Sequence, residues 1–314
     1  MMIDLPLDQV RTLLAAVDEG TFEAAAATLH VTPSAVSQRV KALEQRTGRV
    51  LLLRTKPVRL TESGEIVVRF ARQLTRLERD ASAELGLSDG SEDADPAGGT
   101  TALPIAVNDD SLATWFLPAL DAVPASSRIC FDLRCDDQDH TTAMLRQGLV
   151  MAAVTSSPEP VQGCTVRPLG RMRYRAMAAP VFVERRLSGG PLRETLPRAP
   201  AVDFDRKDDL QGAFLRGLAP RGGAEQHAPG RARHYVPSSD AFVRAVVSGL
   251  GWGMIPDLQA APHRADGTLV DLAYRRPVDV PLYWQQWKLD SPALAAVAEA
   301  VARTAAVALG EPRD

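Results

Sequence analysis

The sequence predicts an α/β chain in three unequal parts: a small helical head, one long helix, and a larger pair of α/β units. Three observations predict it. At 314 residues the chain is too long for one small core. A helix-period pattern runs to Leu87, and alternating short strands and helices replace it from Ala102 on. Between them, Ser88–Thr100 reads SDGSEDADPAGGT, a linker by composition, with no apolar residue large enough to anchor it.

Composition bounds the class further. An apolar fraction of 45% and a charged fraction of 24% are those of a soluble globular protein. The three cysteines, Cys130, Cys135 and Cys164, are odd in number and lack metal-ligand spacing, so free thiols in a reducing compartment are expected. MMIDLPLDQV has no basic stretch followed by an apolar core, so it does not read as a signal peptide. The Ala-rich stretch Pro292–Leu309 is interrupted by Glu299 and Arg303 and is not expected to span a membrane. A cytoplasmic protein is expected.

In the head, Ala24, Ala25, Ala26 and Leu29 fit a short packed helix that His30, Val31 and Thr32 break. Thr32 suits an N-cap and Pro33 the first turn of the next helix, where its missing N–H would have no partner anyway. Val36, Val40 and Leu43 then form an apolar stripe, with Ser34, Ser37, Gln38 and Lys41 off it. From Gln38 to Arg59 seven basic residues (Arg39, Lys41, Arg46, Arg49, Arg54, Lys56, Arg59) face one acid, Glu44, a local charge of +6 in a chain whose net charge is −3. A short helix with a polar, basic outer face next to such a segment fits the major groove and the phosphates of duplex DNA.

Thr61–Leu87 reads as one helix capped by Thr61. Ile66, Phe70, Leu74, Leu77, Ala81 and Leu85 recur as a narrow seam of coiled-coil type, with Arg69, Arg72, Arg76 and Arg79 off it. About 27 residues at ~1.5 Å each reach roughly 40 Å, more than a small domain needs for itself. Pairing of two copies along the seam is expected.

Beyond the linker, LPIAVN, ICFDLRC and LVMAAVT read as strands, with helices at Ser111–Val123 and Thr141–Gln147. Further strands are expected near Arg173–Ala178, Ala201–Phe204, Gly251–Ile255, Leu269–Leu272 and Leu282–Lys288, with a helix at Asp240–Ser248 and another closing the chain. Such alternation predicts a mostly parallel sheet. Gly249, Gly251 and Gly253 read as tight packing around a buried strand, not as a nucleotide loop, because no phosphate-binding helix follows. The five histidines lack metal spacing, and neither a G-x-S-x-G elbow nor a P-loop is present, so no enzyme is expected.

AAATLHVTPSAVSQRVKALEQRTGRVLLLRT followed by LTESG resembles the N-terminal winged helix-turn-helix of LysR-type transcriptional regulators. The resemblance implies a winged helix-turn-helix over 1–60, a dimerisation helix over 61–87, a flexible linker over 88–101 and an effector-binding domain over 102–314. That domain would resemble type-2 periplasmic binding proteins, with subdomain I at 102–158 plus 263–314 and subdomain II at 161–262. NDDSLATWFLPAL, AVDFDRKDDLQGAFL, SSDAFVRAVVSGLGWGMIP and the wing RTKPVRLTESGE resemble the narrower lysine- and arginine-responsive LysG/ArgP group, Lys56 and Pro57 departing from the commoner wing. It implies a homodimer or dimer of dimers on an operator, with no cofactor. L-lysine or L-arginine would be the effector, amino-acid export or metabolism genes the targets, and RNA polymerase a further partner.

Roles follow from these parts. Ser34, Ser37 and Gln38, on the helix that Thr32 caps, should meet base edges, with Pro33 making an apolar contact. Arg39, Lys41, Thr55 and Lys56 should touch phosphates or sugars, and Arg54 the minor groove. In open α/β sheets ligands bind beyond the carboxyl ends of strands, which places Asn108, Asp109, Asp110 and Ser111 at the effector site. Ser111 and the first helix N–H groups suit an α-carboxylate, and Asp109 or Asp110 an α-ammonium. A cationic side chain would find Asp136, Asp137 or Asp139 after the second strand, or Asp203 or Asp205 across the cleft. Trp115 and Phe204 would line the pocket, and Thr155 lies at a strand end. The bland alternative for each aspartate is a helix cap or a solvated loop charge.

Overall fold

A computed structural model describes residues 5–85, 101–127, 129–135, 138–218 and 232–310. The head is built from α1 (Leu7–Asp18), α2 (Phe22–Thr28) and α3 (Pro33–Thr47). The Thr32 hydroxyl accepts from the Ala35 N–H at 3.2 Å, and Pro33 opens α3 as expected. Val36, Val40 and Leu43 are buried against Val10, Leu13 and Ala16 of α1 and Ala25 and Ala26 of α2. Gly48, at φ 64°, ends α3 in the left-handed conformation that glycine takes without penalty. The wing pairs β1 (Leu52–Leu53) with β2 (Arg59–Leu60), antiparallel.

Thr61 caps α4 (Glu62–Glu84) by accepting from the Gly64 N–H at 3.1 Å while donating to Val50 O at 2.7 Å. The described part of α4 has 23 residues, and positions 86 and 87 of the expected helix lie outside the described residues. The linker expected at Ser88–Thr100 lies outside the described residues. One side of α4 buries Val67, Val68 and Ala71 in the head. The seam is left uncovered, with Ile66 52% and Phe70 39% exposed. The arginines off the seam do more than face water. Arg69 donates to Arg146 O (3.4 Å), Arg72 to Gln147 O (2.6 Å) and Arg76 to Ala102 O (2.7 Å). Two of those carbonyls end a helix of the larger domain, where cations are favoured. Arg72 also pairs with Asp18 of α1, so one side chain ties the head to the larger domain.

The larger domain runs β3 (Thr101–Val107), α5 (Asp109–Ser111), a π-helical turn (Leu112–Phe116), α6 (Leu117–Asp121), β4 (Ile129–Cys135), α7 (Gln138–Gln147) and β5 (Ala152–Thr155). The chain then crosses to the second lobe along β6 (Cys164–Ala178). There follow α8 (Pro180–Arg186), α9 (Leu192–Thr195), β7 (Ala201–Asp203), α10 (Leu210–Leu218), β8 (Arg233–Tyr235), α11 (Ser239–Val247), β9 (Gly253–Pro256), α12 (Asp257–Ala265) and β10 (Val270–Asp271). It returns along β11 (Val278–Trp287) and ends in α13 (Pro292–Leu309).

The sheet order is β10-β6-β11-β5-β3-β4, with β9 also on β6. It is mixed rather than mostly parallel. Among the described strands β4-β3-β5 and, in a separate pair, β7-β8 run parallel, with one further parallel bridge between Ala201 and Trp252, while the outgoing β6 and returning β11 lie antiparallel between the lobes. Sequence periodicity picked out only the end of β6, since Arg167, Pro168, Gly170 and Arg171 interrupt its apolar pattern.

The return crossing also lies later than the expected boundary at Pro262. β10 pairs with Met177 and Ala178, and Ala260 and Leu269 share a core with Val202, Phe242 and Ile255. The segment up to Pro281 therefore packs with the second lobe, and the register shift at Leu282/Tyr283 marks the crossing. α13 is long and apolar enough to span a membrane by length and composition, but Leu294, Val297, Ala300, Val301 and Ala305 are buried in this domain. Gly253 is needed for close packing, since a Cβ there would lie 2.6 Å from the Phe242 ring. The three cysteines form no disulfide, and burial pushes the Cys164 thiol up to about 11.

Candidate functional site

On the head, Pro33, Ser34, Gln38 and Lys41 are exposed along α3, with Ser37 and Arg39 half-buried, and Arg54, Thr55 and Lys56 are exposed at the wing. Thr32 and Ser34 share a hydroxyl bond of 2.9 Å, and Thr55 donates to Pro57 O at 2.7 Å. Arg39 reaches Thr12 of α1 at 3.5 Å. Ser37, Gln38, Lys41, Arg54 and Lys56 have no side-chain partner among the described residues. Glu44, the one acid of the segment, is turned inward and accepts from the Leu51 and Leu52 N–H groups at 2.9 and 3.4 Å. The head thus presents cations and amides with little competing negative charge.

Between the lobes lies a cavity of about 680 Å³. Asn108, Asp109, Asp110 and Cys135 come from the first lobe, Phe204, Asp205, Lys207, Asp208, Asp209 and Leu210 from the second, and Tyr174 and Val280 from the crossing strands. Ser239 and Gln259 add polar groups, and apolar surface comes from residues such as Phe242 and Met254. Asp110 accepts from the Tyr174 hydroxyl at 2.7 Å and the Ser239 hydroxyl at 2.6 Å. Asp109 accepts from the Ser239 N–H and lies 3.3 Å from the Cys135 sulfur. Asp208 accepts from the Phe204 and Leu210 N–H groups at 3.0 and 2.9 Å.

Burial pushes the Asp110 carboxyl above the usual carboxylate range. Its bonds to Ser239 and Tyr174 pull the other way, and the Asp109 and Asp208 charges add to the rise. Burial likewise raises Asp208 against the two backbone N–H groups that hold its charged form, and raises Tyr174 well above an ordinary phenol, helped by Asp110 beside it. None of Asp109, Asp110 and Asp208 has a basic partner among the described residues. A second recess, about 810 Å³ and lined by Arg171, Arg173, Asp257 and Asp279, opens on the other face of β6. Arg173 and Asp279 pair at 2.8 Å there, which leaves it less unbalanced charge.

The structure brings together Asn108, Asp109, Asp110, Phe204 and Asp205 of the expected effector residues. Asp205 sits on the cavity wall but also caps its own loop, accepting from the Lys207 and Asp208 N–H groups at 2.7 and 2.9 Å. Ser111 is not on the wall, because the helix starts at Asp109, earlier than expected, and carries Ser111 into the interior. Trp115 packs edge-on against Phe116 in the core, with ring centroids 5.7 Å apart. Thr155 is fully buried and accepts from the Ser157 N–H at 3.1 Å. Asp203 is taken up by Arg233, which donates to both its oxygens at 2.6 and 3.1 Å. Asp136 and Asp137 lie outside the described residues, as does the side chain of Asp139. Tyr174, Asp208, Ser239 and Gln259 were not read from the sequence. The one available signal was Ser238-Ser239 ahead of an apolar run, a helix-start pattern.

A winged helix-turn-helix tied to a two-lobed α/β domain with a ligand-sized cleft defines a ligand-responsive DNA-binding regulator. Residues 7–65 match the bacterial regulatory helix-turn-helix protein, lysR family, and residues 97–306 match the LysR substrate binding domain. The chain belongs to the LysR family of transcriptional regulators. It is 44% identical over 302 residues to the HTH-type transcriptional regulator LysG of Mycobacterium tuberculosis, covering 96% of this chain and 94% of that one. It is 40% identical over 296 residues to the lysine export transcriptional regulatory protein LysG of Corynebacterium glutamicum, covering 93% and 95%. The solved full-length LysG of Corynebacterium glutamicum with bound effector Arg superposes with a TM-score of 0.82 at 39% identity, covering 98% of this chain and 100% of that one.

Proposed function

We propose that the cleft binds a basic amino acid, L-lysine or L-arginine, and that its occupancy controls transcription of amino-acid export or metabolism genes. The observation that carries this reading is the set of carboxylates Asp109, Asp110 and Asp208, partly or fully desolvated and without a basic partner among the described residues. Asp110 and Asp208 pay for burial in their charged forms, and a ligand cation between them offsets that cost. The similarity to the lysine export regulator of Corynebacterium glutamicum, and the arginine bound in its solved structure, support it.

On the head, Ser34, Ser37 and Gln38 read base edges beside an apolar contact from Pro33, with Thr32 holding the helix start. Arg39, Lys41, Thr55 and Lys56 hold phosphates or sugars, and Arg54 enters the minor groove. The uncovered seam of Ile66, Phe70 and Leu77, continued by Leu74, Ala81 and Leu85, pairs two copies into a dimer or a dimer of dimers. The regulator works in the cytoplasm and meets RNA polymerase at the promoter.

Calorimetric titration of the full chain with each common amino acid tests the effector. Saturable heat from lysine or arginine alone is expected. Heat from acidic or apolar amino acids instead, or from none, overturns the reading.

A further inference from the structure

We propose that Asp109 is a built-in stand-in for the effector's α-carboxylate, holding the amino end of α11 until an amino acid displaces it. The inference rests on the basic-amino-acid reading and adds how the ligand's other end is received.

Asp109 belongs to the first lobe and Ser239 to the second, yet the Asp109 carboxylate accepts the Ser239 N–H at the start of α11. That place carries the partial positive charge of a helix of 9 residues and is suited to an anion. Asp110 closes on the same residue through the Ser239 hydroxyl at 2.6 Å. Two adjacent acids of one lobe therefore clamp the first turn of a helix in the other.

An amino acid's carboxylate has few other places to go. Lys207 is the one basic side chain on the wall among the described residues, and it already has a partner. The carboxylate needs N–H donors, and the amino end of α11 offers them at the cavity edge. Asn108 points to a ligand independently. It is 5% exposed and stands on the cavity wall, and among the described residues its Oδ1 has no hydrogen-bond partner. A buried amide oxygen is costly to leave unpaired, and an ammonium group satisfies it. On binding, the ligand carboxylate takes the Ser239 N–H, while its α-ammonium sits between Asn108 Oδ1 and the released Asp109. The exchange swaps one carboxylate for another at α11 and breaks no covalent bond.

Cadaverine, which is lysine without its carboxylate, isolates this effect. The affinities of the full chain for L-lysine and for cadaverine are measured in the wild type and in Asp109→Asn, a variant that keeps an acceptor for the ammonium but loses the competing charge. The ratio of lysine to cadaverine affinity is expected to rise about fivefold in the variant, the size of one modest hydrogen-bond difference. Amide hydrogen exchange at Ser239 gives a second readout. In Asp109→Asn the amide should exchange faster and be protected again by lysine but not by cadaverine. An unchanged or smaller ratio with unaltered Ser239 exchange overturns this inference alone. A wild-type chain that binds neither lysine nor arginine takes the parent reading down with it.

Discussion

The head and the cleft use charge in opposite ways. On α3 and the wing, Gln38, Lys41, Arg54 and Lys56 stand exposed with no described partner, held in place by the core beneath them. In the cleft, Asp109, Asp110 and Asp208 are bonded to hydroxyls and backbone N–H groups of three different segments. A long polyanion is met by free cations on a rigid platform, where little desolvation is paid before contact. The basic amino acid proposed for the cleft would be met by acids that neighbours hold and water has partly left, where its charge counts for most. The difference teaches that the head's polar groups stand free before binding, whereas those of the cleft are already bonded, so that a ligand there would have to exchange internal bonds for its own.

The sharpest way to separate the two regions is Gly64→Val. A Cβ at Gly64 would lie 2.0 Å from Leu51 O, a backbone atom that cannot swing aside. Overpacking of this kind should cost the head about 3 kcal/mol or more. The variant is expected to lose DNA binding in a gel shift while retaining a lysine-induced rise in the melting of the larger domain. Loss of the lysine response as well would show that the regions do not stand independently.

Asp110→Lys acts on the other side of the comparison. It should abolish the lysine-induced stabilisation, which is about 2.7 kcal/mol at a ligand concentration of 100 Kd, and leave DNA binding without effector intact. The wild type has a matching pH signature. Asp110 and Asp208 titrate above their ordinary range when folded. Their contribution to stability is therefore present at low pH and lost as pH rises through the folded-state values. A bound cation favours the ionised forms, so lysine affinity should increase with pH over the same window. Melting curves with and without lysine should diverge as pH rises from the ordinary carboxylate range upward. Curves that converge would contradict the assignment.

The same contrast decides what could be read from the sequence. The head was legible almost residue by residue, because cap, stripe and basic run lie within some forty consecutive positions and obey one helical period. Asn108, Asp109 and Asp110 were legible because a strand ends there. Tyr174, Asp208 and Ser239 were not, because three distant segments meet only through the crossing of β6 and β11, and no local period encodes that. Trp115 misled for a related reason. Aromatic residues near a site read as lining, but the start of the helix at Asp109 turned this one into the core.

Gln38→Ala probes the platform more gently. A good bidentate base contact carries ~1–3 kcal/mol of discrimination, so the variant should flatten operator preference in a competition gel while affinity for unrelated DNA changes little. Preserved preference would move the reading role to Ser34 or Ser37.

The smallest effect concerns the connection between the regions. Arg72 donates to Gln147 O at 2.6 Å and pairs with Asp18, so it touches the carboxyl end of α7 and the head at once. In the pair with Asp18 the acid is half exposed, and contacts open to water on one side contribute about 0.2–1 kcal/mol. Arg72→Ala should therefore lower the melting temperature only slightly and leave lysine affinity and effector-free DNA affinity near wild type. What it should reduce is the coupling between them, the factor by which lysine changes operator affinity, for which 1–3 kcal/mol is typical. Operator affinity measured with and without lysine, in wild type and variant, isolates that factor by a thermodynamic cycle. A shrunken factor with both individual affinities preserved identifies Arg72 as a link through which the cleft addresses the head. An unchanged factor sends the signal elsewhere, through the uncovered face of α4 and whatever copy pairs with it.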